Sequence, residues 1–212
     1  MALLNGRKMT TYEAFRDEIT GWVRPGHDHG CPPVEVIPGL WTAHYDEIDS
    51  IEKLKEATSN VSIAMVVNSA VCQCPARTGF FGPDVRVLEV DIEDDPDERK
   101  YFDQGKKPVQ SKCREPDIQV KKRCAGDMTV FFDPVSDEIH SVLQEGKCVL
   151  VHCKASLSRS PALILAYLMK YHNMTLMDAG RLLKSKWDAP WPCDRFSYDL
   201  VVYERQLASR SA

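Results

Sequence analysis

Cys153 and Arg159 are the side chains whose types and spacing most clearly predict chemistry in this chain. A run rich in Val and Leu precedes Cys153 and is typical of a buried strand, whereas Arg159 opens a long apolar pattern typical of a helix. A loop between a strand and a helix N-terminus collects backbone N–H groups, which bind a phosphate-sized anion and favour a thiolate. The planar guanidinium of Arg159 can hold two oxygens of the same phosphate. The spacing therefore predicts phosphoryl transfer onto the sulfur of Cys153.

A purely structural interpretation of the same residues is also available. A cysteine at a strand end is often a small buried hydrophobic residue, and Arg-Ser-Pro can simply begin a helix. The catalytic interpretation is favoured because the strand, His152-Cys153, the five-residue loop, Arg159-Ser160 and the helix follow one another in the required order.

The run from Val149 to Ser160 resembles the signature loop of the cysteine-dependent protein phosphatases, specifically the small atypical dual-specificity phosphatases. The resemblance covers roughly residues 34–208, with family-like segments at 37–41, 131–142 and 160–174. It implies a single α/β domain that hydrolyses phosphotyrosine and phosphoserine or phosphothreonine in proteins. It also implies that no metal or cofactor is required, since Arg159 and the loop amides stabilise the charge.

The resemblance assigns roles within the loop. Ser160 donates a hydrogen bond to the Cys153 sulfur and aids its departure, while His152 orients the loop without transferring protons. The other substrate-binding residues of the loop are Lys154, Ala155, Ser156, Leu157 and Ser158.

A general acid is needed to protonate the leaving oxygen, and an acidic run at residues 89–98 supplies candidates. The family places apolar residues four and two positions before the acid, and this pattern selects Asp94. Asp91 and Asp95 remain alternatives, and the acidic run can also form a solvated face. In this interpretation Asp94 first protonates the leaving group and then activates the water that hydrolyses the phosphocysteine.

Ser156 departs from the family pattern, which normally has Gly at this position. Glycine permits positive φ and close approach to the phosphate, so a serine here is either accommodated, narrows the pocket or slows turnover. Two family pairs near the pocket floor are also replaced, by Trp187-Asp188 and Pro192-Cys193. These departures leave rate and substrate choice open.

Ser156 also motivates an alternative function from another class, a pseudophosphatase that binds phosphate or acts as a scaffold. A third possibility is a phosphatase for lipid or RNA phosphoesters. Lipid-directed relatives usually carry two lysines in the loop, whereas this chain has Lys154 alone and Leu157 at the later position.

Strands alternating with helices must position the loop, and this alternation predicts an α/β fold with a mostly parallel central sheet flanked by helices. Pro134 suits the first turn of the helix before the catalytic strand. Two short strands are predicted over 34–41 with a turn at Pro38-Gly39, and further strands at 61–68, 85–92 and 148–152. The predicted helices are 10–22, 48–57, 134–143, 160–172, 175–186 and 194–207.

The sequence predicts one domain over residues 34–208, preceded by a helical extension at 1–33 that packs on it and followed by a tail at 209–212. Residues 97–130 are predicted to be a basic insert that the family usually lacks. The seven basic residues within its part 106–123 form a solvated loop, or else bind the acidic run or an acidic partner.

Composition predicts a soluble globular protein of 212 residues with 43% hydrophobic residues and a net charge of −4. No apolar stretch is long enough for a membrane span, and no basic field suggests nucleic acid. We therefore expect a phosphoprotein substrate as partner, with neither nucleic acid nor membrane. Eight cysteines without a secretory signal indicate reduced thiols and a location in the cytoplasm or nucleus.

Two further roles for cysteines remain open at this stage. Cys148 or Cys193 could form a protective disulfide with oxidised Cys153. A zinc site is the second possibility, although such spacing is weak support for one; its ligands would be Cys72, Cys74, Cys113 and Cys124.

Overall fold

The computed structural model describes most of the chain outside the predicted insert. The described residues are 3–4, 7–8, 11–20, 32–48, 51–59, 61–71, 74, 81–93, 127–187, 190 and 192–210. The strands are β1 Leu3–Leu4, β2 Arg7–Lys8, β3 Val34–Ile37, β4 Leu40–Ala43, β5 Ile63–Asn68, β6 Arg86–Glu89 and β7 Cys148–His152. The helices are α1 Thr11–Phe15, α2 Ile51–Ala57, α3 Thr129–Gln144, α4 Arg159–His172, α5 Leu176–Lys186 and α6 Asp194–Arg210.

The central sheet has five strands in the order β3-β4-β7-β5-β6, and β7 lies in the middle. The β3–β4 pair is an antiparallel hairpin, whereas the other three pairs are parallel. The predicted α/β architecture with a mostly parallel sheet is therefore confirmed. Because β7 is flanked by parallel strands on both sides, its carboxyl end emerges beside theirs, which is where open α/β sheets bind ligands.

The two faces of the sheet are covered unequally. One face packs on α3, α4, α5 and α6 in a large apolar cluster, and α4 is buried along most of its length. This burial explains the continuous apolar pattern of α4, since a helix surrounded by protein needs no polar face. The other face has a smaller cluster that includes Leu54 of α2, Val66 of β5 and Leu150 of β7.

The N-terminal helix packs into the larger cluster. After α1, the chain makes a π-helical turn over Arg16–Thr20, and Phe15 and Ile19 are both buried. Gly180 of α5 allows this contact, because a Cβ there would lie 2.9 Å from Ile19 Cγ1 and 3.0 Å from Phe15 Cε2. The ion pair of Glu18 with Arg181, at 2.6 Å, lies at the edge of this contact. The last two residues of the predicted helix, 21 and 22, lie outside the described residues.

The prediction for Pro134 is wrong, because α3 begins at Thr129 and places this proline inside the helix. Two carboxylates account for the earlier start. Asp199 of α6 accepts a hydrogen bond from the Met128 N–H at 3.1 Å, and Asp127 accepts from the Thr129 N–H at 3.0 Å. These bonds satisfy N–H groups that a helix start leaves free, which stabilises the extra turn. The last two residues of the segment 97–130 thus belong to α3.

The helices after the loop lie close to their predicted positions. Pro161 falls in the first turn of α4. The Thr175 hydroxyl accepts a hydrogen bond from the Asp178 N–H at 3.1 Å and donates to the Asp178 carboxylate at 2.8 Å, which caps α5. Helix α6 continues three residues beyond the predicted end at 207. Within the described part of the chain, none of the helices is both long and apolar enough to span a membrane.

Candidate active site

The carboxyl ends of three neighbouring strands form the floor of the site. Ala43 of β4 and Asn68 of β5 are both in register with His152, the last residue of β7. The backbone N–H and the hydroxyl of Ser69 each donate a hydrogen bond to the His152 carbonyl, both at 2.9 Å. These bonds hold the β5 and β7 ends together at the point where the predicted loop begins.

Cys153 follows this anchored strand end and is only 2% exposed. The Ser160 hydroxyl lies 3.4 Å from the Cys153 sulfur, within the range for a hydrogen bond to sulfur, and Ser160 is fully buried. Arg159 is the first residue of α4 and is 6% exposed. The three residues with the most specific predicted roles therefore lie at one helix start, where backbone N–H groups lack partners within the helix.

His152 is held in the neutral state beneath the loop. Burial lowers its pKa to about 4, the positive charge of Arg159 acts in the same direction, and the Cys153 carbonyl opposes the shift. A neutral ring donates from Nδ1 to the Cys153 carbonyl, 3.1 Å away. The Tyr45 ring stacks on the imidazole with centroids 5.8 Å apart. The histidine thus packs beneath the loop and binds its backbone.

Ser156 adopts a left-handed conformation, with φ of +54°, and is fully buried. Its hydroxyl donates a hydrogen bond to the Ala43 carbonyl at the end of β4, and its oxygen lies 3.3 Å from the Ser160 hydroxyl oxygen. The serine is therefore accommodated at a position where the family uses glycine, because its side chain turns toward the sheet and forms hydrogen bonds there.

Lys154 lies on the outer side of the loop. Its ammonium group forms an ion pair with Asp46 at 2.8 Å and lies 5.4 Å from the centroid of the Tyr45 ring. Hydrogen bonding between these partners raises the pKa of Lys154 and lowers the pKa of Asp46. The Tyr45 N–H also donates to the Lys154 carbonyl at 3.0 Å. Ala155 and Leu157 are partly exposed.

Ser158 is connected to the segment before α6, where the chain departs from the family pattern. The Cys193 N–H donates to the Ser158 hydroxyl at 3.0 Å, and the Ser197 hydroxyl donates to the Pro192 carbonyl at 2.9 Å. Cys193 therefore supports the loop through its backbone, which does not depend on the thiol. The backbone N–H of Trp187 donates to the Leu183 carbonyl and closes the last turn of α5. Asp188 lies outside the described residues.

Asp94, the predicted general acid, and its alternative Asp95 also lie outside the described residues. The preceding strand β6 is described, and the Val90 N–H donates to the Asn68 carbonyl at 2.8 Å, which continues the β5 contact. Asp91 is partly buried just after this contact. The strand thus leads the chain toward the same edge of the sheet as Cys153, and the assignment of Asp94 stays a prediction.

The four described cysteines are free, and one of them, Cys74, lies close to Cys153. Cys74 is fully buried in a small cluster with Cys153, and burial raises the pKa of its thiol to about 11. Cys148 begins β7 whereas Cys153 follows its end, so an extended strand separates them by about 16 Å, beyond the reach of a disulfide. A protective disulfide from Cys148 is therefore excluded in this fold.

The proposed zinc ligands are mostly outside the described residues, and Cys74 alone of the four is described. Among the described residues, His, Cys, Asp and Glu side chains do not cluster in groups of three or more that could hold a metal ion. The zinc site therefore remains a prediction about segments the structure does not describe.

The sequence interpretation missed three residues that hold the loop: Ala43, Tyr45 and Asp46. Their position in the sequence gives a partial indication of this role, since they occupy the end of β4 and the residues just after it. The carboxyl ends of parallel strands share one edge of a sheet, so residues following β4 should lie near those following β7. The β4–β7 pairing itself could not be deduced from the sequence pattern.

The arrangement combines a buried thiol, a hydroxyl donor beside it and an arginine at a helix start. With this set of side chains the sulfur can accept a phosphoryl group, while the arginine and the loop amides balance the negative charge of the phosphoryl oxygens.

Comparison with known proteins agrees with this chemistry. The sequence model of the family described as "Dual specificity phosphatase, catalytic domain" matches residues 97–206, which is more than half of the chain. The match begins at residue 97, the first residue of the segment predicted to be an insert, and covers that whole segment. Bovine dual specificity protein phosphatase 18 is 49% identical over 81 residues, 38% of this chain and 43% of that protein. Human dual specificity protein phosphatase 14 is 44% identical over 82 residues, 39% of this chain and 41% of that protein. The matched segment thus spans less than half the length of these relatives.

Solved structures show the same fold. Human DUSP28 is 24% identical with a TM-score of 0.61, covering 84% of this chain and 95% of that chain. A mouse putative dual specificity phosphatase complexed with zinc tungstate is 22% identical with a TM-score of 0.62, covering 90% of this chain and 97% of that chain. With the family match and the geometry of the Cys153 loop, these likenesses lead to one conclusion: the chain belongs to the family of dual-specificity phosphatase catalytic domains.

Proposed function

We propose that this protein is a phosphatase that removes phosphate from phosphotyrosine and from phosphoserine or phosphothreonine in proteins, through a phosphocysteine intermediate. One observation carries the proposal: the buried sulfur of Cys153 has the Ser160 hydroxyl 3.4 Å away, and Arg159 begins the adjoining helix. The family membership of the chain supports the same reaction class.

In the first step the Cys153 thiolate attacks phosphorus. A sulfur–phosphorus bond forms, the bond from phosphorus to the leaving oxygen breaks, and its electron pair passes to that oxygen. Asp94 donates a proton to the leaving oxygen, which departs as the free hydroxyl of the substrate. Arg159 and the loop N–H groups stabilise the negative charge on the other phosphate oxygens.

In the second step the Asp94 carboxylate removes a proton from a water molecule, whose oxygen attacks phosphorus. The sulfur–phosphorus bond breaks, its electron pair returns to Cys153, and inorganic phosphate leaves. Ser160 donates a hydrogen bond to the sulfur as negative charge develops there, which lowers the barrier to its departure.

His152 acts through the backbone in this mechanism. A ring whose pKa is lowered to about 4 stays neutral at physiological pH and donates steadily to the Cys153 carbonyl. It therefore orients the loop and does not carry protons.

Phosphoprotein substrates are favoured over lipid or RNA phosphoesters. Lys154 is the single lysine of the loop, and its charge is balanced by Asp46. A densely charged headgroup would meet little free positive charge there. Ser156, which motivated a pseudophosphatase, turns its hydroxyl toward the Ala43 carbonyl, so it gives that alternative no support.

We further propose that residues 34–208 form the catalytic domain, with the extension 1–33 packed on it, a tail at 209–212 and the basic segment before α3 as an insert. A working thiolate requires a reducing compartment, which favours the cytoplasm or nucleus.

Hydrolysis of an aryl phosphate by the wild type and by Cys153→Ser tests the function. We expect turnover by the wild type, a trappable phosphocysteine, and loss of both in the variant. Cys148→Ser is the matched control, because it makes the same substitution at the far end of the same strand and should retain activity. Binding of phosphopeptide without turnover by the wild type would favour a binding module instead.

A second experiment identifies the acid. Asp94→Ala should lower turnover by about 10²–10⁴-fold for substrates whose leaving groups have a high pKa, and much less for a good aryl leaving group. Asp91→Ala is the control and should change turnover little. The reverse pattern would assign the acid to Asp91.

A further inference from the structure

We propose that Ser156 is a positioning residue that provides a second acceptor for the Ser160 hydroxyl while the Cys153 sulfur carries the phosphoryl group. The inference rests on the proposed function and concerns the lifetime of the phosphocysteine. It assigns a role to a residue that departs from the family pattern.

The hydrogen bonds around Ser156 leave its oxygen available only as an acceptor toward Ser160. A hydroxyl has one hydrogen, and that of Ser156 is donated to the Ala43 carbonyl. Ser160 also has one hydrogen but two acceptors within reach, Ser156 Oγ at 3.3 Å and Cys153 Sγ at 3.4 Å. The Ser160 hydroxyl can therefore satisfy one of these partners at a time.

The preferred acceptor changes during the reaction. The sulfur that attacks in the proposed first step is negatively charged, and a charge-assisted hydrogen bond from Ser160 to it is favoured. In the phosphocysteine the sulfur is neutral and a weak acceptor, comparable to a thioether. The Ser160 hydroxyl is fully buried, so bulk water does not replace the lost bond. Ser156 then accepts the hydrogen, which spares the cost of a buried unsatisfied donor.

This second acceptor stabilises the phosphocysteine relative to the transition states on either side of it, where the sulfur carries part of a negative charge. The hydroxyl of Ser156 therefore slows hydrolysis of the intermediate and slightly assists its formation. The same hydroxyl secures the left-handed backbone, since its bond to Ala43 offsets the strain of φ at +54°.

Rapid-quench kinetics with an aryl phosphate test the inference on the full chain. Phosphocysteine is measured by intact mass spectrometry in the wild type, Ser156→Ala and Ser156→Gly. The same three proteins are also made with the additional substitution Ser160→Ala. Both Ser156 variants should hydrolyse phosphocysteine about three to ten times faster and form it no faster than the wild type. Ser156→Gly has no Cβ to strain at positive φ, so it supplies the result if Ser156→Ala folds poorly.

The acceleration should vanish in the Ser160→Ala background, because no hydroxyl then needs a second acceptor. If the substitutions merely loosened the loop, both the formation and the hydrolysis of phosphocysteine would slow. The effect of the substitutions on hydrolysis would then also remain in the Ser160→Ala background. Either of these results overturns the inference, and so does an unchanged rate of hydrolysis. Failure of the proposed function looks different, because the wild type would then form no phosphocysteine at all.

Discussion

The inner and outer halves of the loop from Cys153 to Ser160 are built from different interactions. The inner residues are at most 6% exposed; they are Cys153, Ser156, Ser158, Arg159 and Ser160. Ser156 donates to the end of β4, Ser160 lies within hydrogen-bond distance of Cys153 and Ser156, and Ser158 accepts from the Cys193 N–H before α6. The outer residues are Lys154, Ala155 and Leu157, which are partly exposed. Lys154 keeps 43% of its side-chain surface exposed and is paired with Asp46, which keeps 61%.

The difference follows from how water weakens polar interactions. Buried hydrogen bonds are not exchanged for bonds to water, so losing one partner leaves an unsatisfied group. An exposed ion pair is screened and contributes little. We therefore expect the inner half to hold the reacting atoms in place and the outer half to tolerate substitution.

Replacement of Arg159 should have the largest effect. Arg159→Lys keeps the positive charge but loses the planar fork, and we expect kcat/KM for an aryl phosphate to fall about 10²–10³-fold. Lys154→Gln is the matched outer variant and should change kcat/KM less than tenfold. Steady-state kinetics on both variants measure the contrast, and equal losses would show that the two halves do not differ.

Titration of His152 should make the free energy of unfolding depend on pH, and this effect should be smaller than that of Arg159→Lys and larger than that of the outer ion pair. In the folded chain its pKa is about 4, whereas an unfolded histidine titrates near 6.5. Between these values the unfolded state binds more protons, so the free energy of unfolding falls as pH drops below 6.5 and levels off near 4. The expected slope in this window is about 1.4 kcal/mol per pH unit.

Chemical denaturation at pH 7 and pH 5 measures this dependence. His152→Gln removes the titrating group. When the pH is lowered from 7 to 5, the free energy of unfolding of this variant should therefore fall by about 2 kcal/mol less than that of the wild type, whatever its value at pH 7. Equal losses in the two proteins would mean that His152 is not buried in the neutral form.

The smallest effect is expected for the outer ion pair. Asp46→Asn should change the free energy of unfolding by about 0.5 kcal/mol or less, and added salt should reduce the difference. A double-mutant cycle with Lys154→Gln isolates the pair by denaturant titration. A coupling energy well above 1 kcal/mol would contradict the description of the outer half as weakly held.

Local sequence was sufficient to predict the loop and its flanking elements. The run from the apolar strand through Cys153 to the helix after Arg159 is contiguous, so its geometry depends on a strand end and a helix start that are adjacent in the chain. The Thr175 cap is equally local, since both of its hydrogen bonds are to Asp178, within one helical turn.

Contacts between distant residues were not predictable in this way. Helix α3 begins earlier than Pro134 suggests because Asp199, 71 residues from Met128, binds its first turn. The N-terminal helix is part of the main core because Gly180 of α5 leaves room for Phe15 and Ile19. A helical pattern shows that a face is apolar but does not show which element covers it.

The amino-acid sequence alone was sufficient to predict the proposed reaction class, because the proposed nucleophile, the arginine and the loop length are properties of one continuous segment. Only the tertiary structure decided what Ser156 does, since its bond to the Ala43 carbonyl joins residues 113 positions apart. The physical reason is that the backbone conformation of a short loop follows from its neighbours in the chain. The partner of a buried hydroxyl instead depends on which strands lie side by side, and that is established only when the sheet forms.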